Sequence, residues 1–118
     1  PGHMSGHIVF GQALYEAKRY DHPLFFCHLA IEKLLKGLVV EKTKTHPLPI
    51  HSLTKLAAAA GITLPPNREK QLEEITTWNV KARYDNIKRQ FYKKATASFT
   101  ANWLTTAKEI FIWLTQQF

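Results

Sequence analysis

Leu24, Cys27, Ile31, Leu34, Leu35 and Leu38 recur at the i, i+3, i+4 spacing of one helix face, and Phe25, Phe26, Leu29, Ala30 and Val39 widen that stripe. The pattern predicts a central helix from Leu24 to about Lys42. What remains of its circumference is polar, because His28, Glu32 and Lys36 recur every four positions with Lys33 beside them. Glu32 to Lys36 is the favourable orientation of an i, i+4 ion pair, worth about 0.3 to 0.5 kcal/mol on an exposed face. A first segment, about Gly6 to Arg19, sets Val9, Ala13, Tyr15 and Ala17 among polar residues and is broken by RYDHP; it is short for a bundle helix. After the central helix, KTKTHPLPIHS reads as a loop, since Pro47 and Pro49 hold themselves and their predecessors out of helical geometry. Ser52 then suits the N-cap of a short helix, LTKLAAAA, with Gly61 ending it in the left-handed region. Beyond ITLPP one long helical segment is predicted from about Asn67, with Leu72, Ile75, Ala82 and Ile87 inward and Asn79 and Arg83 four apart on another face. A last segment, about Ser98 to Gln117, is predicted to bury Ala101, Leu104, Ala107, Phe111 and Leu114, with Trp103 and Trp113 at its margins. The expected fold class is all-α.

At 118 residues the chain suffices for one domain, which buries roughly 65% of its unfolded surface on folding. Pro1 to His3 read as a cloning remnant ahead of Met4, so residues 4–118 are taken as the domain. The single thiol, Cys27, lies in LFFCHLAI and excludes a disulfide within the chain. No window reaches the roughly 18 apolar residues of a membrane span, and no stretch resembles a secretory signal, so a cytoplasmic location is expected. Charge adds more. The net charge is +7, and between Lys81 and Lys94 six cations (Lys81, Arg83, Lys88, Arg89, Lys93 and Lys94) face Asp85 alone. A phosphate-bearing partner is one reading of that cluster; a field that keeps a small domain in solution is the other.

His28 and Glu32 at i, i+4 can reach one ion, yet no third ligand, second cysteine or HExxH accompanies them, and no metal or cofactor is expected. Cys27 in an apolar helix is the opposite of an activated thiolate. Phosphate-cradling glycine loops are absent. His46 and His51 flank the proline-rich loop, where an imidazole can act as acid or base or simply order the backbone by hydrogen bonding. The ordering role is the expectation for both.

Taken together, FFCHLAIEKLLKGLVVEK, THPLPIHSLTKLAAAAGI and ITTWNVKARYDNIK closely resemble, in that order and spacing, the HEPN domain, named for higher eukaryotes and prokaryotes nucleotide-binding. The resemblance runs from about Leu14 to Leu114 and rests on Ala30, Glu32, Lys33, Leu35, Lys36 and Leu38, on Pro49, His51 and Leu53, and on Ala82, Arg83 and Tyr84. It implies an up-and-down bundle of four main helices plus a short one, commonly a homodimer with a cleft between subunits. Members include metal-independent ribonucleases, nucleotide binders, and partners of minimal nucleotidyltransferases in toxin and antitoxin pairs. In the ribonuclease members an Arg is followed after four to six residues by a His: the guanidinium neutralises the scissile phosphate and the imidazole takes the proton of the 2′-hydroxyl. Arg83 matches that Arg. Where the His belongs stand Lys88, Arg89 and Gln90, and none is a ready proton acceptor at neutral pH.

The expectation is therefore a module that binds a nucleotide or RNA phosphate through Arg83, with Lys33, Lys36 and Lys88 supplying field, Asn79 nearby and Tyr84 offering a ring for base stacking. Phe91 and Tyr92 interleave the same cations, and part of that aromatic set belongs to the core. Two alternatives stand beside it. One is a ribonuclease whose base is displaced to His28 or His51; the other is a protein-interaction subunit whose basic face meets an acidic nucleotidyltransferase.

Overall fold

The computed structural model describes residues 21–47, 49–79 and 85–118, the side chains of 21, 22 and 85 excepted. The expected first segment, and Ala82, Arg83 and Tyr84 with it, lie outside the described residues. Five helices occur among them: α1 Asp21–Thr43, α2 Leu53–Ala59, α3 Pro66–Thr76, α4 Asp85–Lys94 and α5 Ala97–Thr115. The all-α class is as expected, and no strand occurs among the described residues.

α1 is central, as its broad apolar stripe requires. Leu24, Cys27, Ala30, Ile31, Leu34, Leu35 and Leu38 are fully buried, and the helix packs most extensively on α5, then on α2 and α3. Burying each leucine contributes about 1.5 to 3 kcal/mol. The short α2 begins and ends as its sequence predicts. Ser52 Oγ accepts from the backbone N–H of Lys55 at 3.4 Å, and Gly61 follows the helix at φ 74°. Thr76 couples α2 to α3, because its hydroxyl donates to the Leu72 carbonyl at 2.8 Å and accepts from the Leu53 N–H at 3.1 Å.

The single long segment expected after Asn67 is instead two helices. α3 stops at Thr76, where two successive β-branched threonines turn their hydroxyls onto backbone carbonyls, Thr77 on that of Glu74 at 2.6 Å. Such local bonds compete with helix continuation. The chain then drives Trp78 into the core at 0% exposure, its indole N–H donating to Glu74 Oε2 at 2.9 Å and its ring edge-on to Trp103 at 5.3 Å. α4 resumes at Asp85 and is anchored by the buried Phe91.

Thr96 caps α5, accepting from the Phe99 N–H at 3.3 Å. Leu104, Ala107, Phe111 and Leu114 are buried as predicted, with Ile110 beside them, and Trp103 and Trp113 are half-buried at the margins. Ala101 is a correction. It is only half-buried, and Thr100 takes the interior position, because Thr100, Leu104, Ala107 and Phe111 form one continuous i, i+3, i+4 row against α1. No helix among the described residues is long and apolar enough to cross a membrane.

Candidate functional site

The polar sliver of α1 is not the exposed stripe its spacing suggests. His28 is fully buried and Glu32 is 7% exposed, because the loop that carries His51 folds over them. The Glu32 carboxylate gathers three neighbours. Oε1 accepts from His51 Nδ1 at 2.9 Å, Oε2 accepts from Lys36 Nζ at 3.0 Å, and His28 Nε2 lies 3.6 Å from Oε1. His28 Nε2 also reaches the His51 carbonyl at 3.4 Å. A carbonyl only accepts, so that contact places the His28 proton on Nε2 and leaves Nδ1, buried and without a partner, as a bare lone pair.

Each charge state follows from these contacts. Burial holds His28 below its ordinary 6.5, and the Glu32 charge and the His51 carbonyl offset this only in part, so the buried imidazole is neutral at pH 7. For Glu32, burial pushes the carboxyl up, but the hydrogen bonds from His51 and Lys36, with the Lys36 charge, outweigh it, and the group sits below 4.5. Cys27, one position from His28, is pushed up to about 12 by burial, with Lys108 opposing weakly. It is inert as a nucleophile.

His51 occupies the position with the most chemical possibility. Its side chain is 61% exposed while its Nδ1–H is held by a nearly buried carboxylate. In the neutral ring that arrangement leaves the Nε2 lone pair toward solvent, the tautomer and orientation that a carboxylate enforces on a general base. The loop-ordering role expected of His51 is present as well, through its carbonyl. His46 lies separately, lining a shallow cavity of about 280 Å³ with Val40, Glu41, Lys44 and Thr45.

A second feature is the outer face of α4. Lys88, Arg89, Tyr92 and Lys93 are exposed, and among the described side chains, which do not include that of Asp85, no carboxylate pairs with these three cations. Lys94 differs, bonded to Glu74 at 2.7 Å and set over the Phe99 ring at 5.5 Å. Of the aromatic set expected to lie partly in the core, Phe91 is buried and Tyr92 is 66% exposed, while Tyr84 lies outside the described residues.

Of the residues proposed from sequence, Lys33 is exposed on α1, Lys36 is drawn against Glu32, Lys88 is exposed on α4, and Asn79 is half-buried just before residue 80. Arg83 and Tyr84 lie outside the described residues. The Glu32–His51 contact was missed because the two lie 19 positions apart and only the fold brings them together. No group of three or more His, Cys, Asp or Glu side chains arranged to hold a metal ion occurs among the described residues.

The HEPN domain family model matches residues 11–117, nearly the entire chain. The chain belongs to the HEPN family. No curated protein and no solved structure matches it significantly. The match spans every helix described above and includes Arg83 and Tyr84, so both the basic segment and the His28, Glu32, His51 cluster lie inside the HEPN domain.

Proposed function

We propose that this HEPN domain binds a nucleotide or an RNA phosphate, as a cytoplasmic homodimer, and works with a minimal nucleotidyltransferase partner in a toxin and antitoxin or defence-type system. The observation that carries the binding role is the outer face of α4, where Lys88, Arg89 and Lys93 stand unpaired by any described carboxylate. It continues the cationic run that begins at Lys81 and includes Arg83. Cations left uncompensated on one face attract a polyanion, and binding by counterion release weakens steeply with salt. Arg83 grips the phosphate in this reading, with Lys33, Lys36, Lys88 and Asn79 around it and Tyr84 beside a base.

A titration of labelled RNA at low salt tests the assignment. Arg83→Ala should weaken binding severalfold and make it less sensitive to salt; unchanged affinity for RNA and for mononucleotides would remove Arg83 from the site. Light scattering that finds only monomer at working concentrations would remove the two-subunit cleft.

The Glu32–His51 contact favours a second reading, a metal-independent ribonuclease with a displaced base. His51 Nε2 would take the proton of a ribose 2′-hydroxyl as that oxygen bonds to phosphorus, the bond to the 5′-oxygen breaks, and the leaving oxygen takes a proton from water or from the His51 imidazolium, giving a 2′,3′-cyclic phosphate. RNA incubated with the protein in EDTA decides it. Cleavage lost in both His51→Gln and Arg83→Ala supports this reading, and intact RNA at high protein concentration ends it.

A further inference from the structure

We propose that Tyr92 is a stacking platform for an unpaired base, and that the ligand of the α4 face is single-stranded nucleic acid with its phosphates set against Lys88, Arg89 and Lys93. The proposal rests on the phosphate-binding reading above and adds the class of ligand.

Tyr92, 66% exposed, is the most exposed of the large apolar side chains among the described residues. Its neighbour Phe91 is buried, so α4 is already anchored without it. Side chains on a helix lean toward its N-terminus, which lays the Tyr92 ring over the turn that carries Lys88 and Arg89, its i−4 and i−3 neighbours. Lys93 lies on the same side, one turn beyond Arg89. Arg89 and Lys93 repel each other at i, i+4. Three other cations do have a carboxylate partner: Lys94 pairs with Glu74, Lys36 with Glu32 and Lys44 with Glu41.

Three ligand classes bring phosphate to such a face, and the geometry separates them. A duplex keeps its bases stacked on one another and offers a protein ring only base edges, so Tyr92 would gain nothing from it. A mononucleotide brings its phosphate to one place, whereas Lys88 to Lys93 spans about 7.5 Å of helix axis. An unpaired strand supplies both a series of phosphates and free base faces, the combination met by cations interleaved with an exposed aromatic ring.

Fluorescence anisotropy tests this with a labelled ten-nucleotide RNA, the same RNA annealed to its complement, and uridine monophosphate as competitor. The single strand should bind more tightly than the duplex, and the mononucleotide should compete weakly. Tyr92→Ala should weaken single-strand binding by about tenfold or more with the salt dependence unchanged, and Tyr92→Phe should bind normally. Replacing Lys88, Arg89 and Lys93 by Gln together should flatten the salt dependence. Equal affinity for duplex and single strand, or full affinity in Tyr92→Ala, overturns the stacking proposal while the phosphate reading stands, provided the triple variant is weakened. If neither RNA form binds the wild-type protein, the phosphate reading fails and this proposal with it. Binding of polyglutamate as tight as that of RNA would mark the face as a contact for an acidic protein and overturn it too. All of the substituted side chains are exposed, so circular dichroism should show every variant folded.

Discussion

Replacing Glu32 by Gln tests whether the α1 polar row is a buried hub or a wet helix face. Gln keeps the length and one carbonyl oxygen but removes the charge that His51 Nδ1 and Lys36 Nζ contact at 2.9 and 3.0 Å. Hydrogen bonds to a charged group contribute about 1.5 to 3 kcal/mol each when buried. His51 is 61% exposed and Lys36 27%, so solvent screening reduces both, and a loss of about 2 kcal/mol in total is expected at pH 7. For a domain of this size that lowers the melting temperature by roughly 8 to 12 °C. Thermal and urea unfolding followed by circular dichroism measure it. The pH dependence supplies an internal control. Glu32 is held below 4.5 in the folded protein, so its contribution is present above that value and is lost as pH falls through the folded-state range. The gap between wild type and Glu32→Gln should accordingly close on acidification, since a protonated Glu resembles Gln. A loss below about 0.5 kcal/mol at pH 7 would refute the reasoning, because that is all an exposed i, i+4 pair provides.

Three further outcomes follow from the same packing. His28, held below 6.5 by burial, contributes stability that is present above 6.5 and lost as pH falls toward its folded value, with a slope of at most about 1.4 kcal/mol per pH unit; His28→Gln should flatten that part of the stability profile. Cys27, with its thiol pushed up to about 12, should resist a thiol reagent in the native protein and react promptly in urea; fast native reaction would contradict its burial. Trp78→Ala should cost about 3 to 5 kcal/mol and Trp78→Phe much less, the latter releasing Glu74 from the indole while Lys94 still holds it, as urea unfolding will report.

The sequence alone carries the helical class, the central helix and its buried row, the Ser52 cap, the left-handed Gly61 and the family, since all of these are written in local spacing. Periodicity is a statement about one helix, and it is reliable where a broad apolar stripe leaves only one way to bury it. It could not show that α3 stops at Thr76, because Leu72, Ile75, Ala82 and Ile87 keep a helical rhythm across a break that the threonine hydroxyls and the inward turn of Trp78 impose. Nor could it tell which polar row is wet. His28, Glu32 and Lys36 look like a solvated face on a helix taken by itself, and Lys88, Arg89 and Lys93 look much the same. Only the tertiary fold separates them, by laying the His51 loop over one row and leaving the other open. Burial and partnership are set by what packs against a helix from elsewhere in the chain, and that is the information a local pattern does not contain.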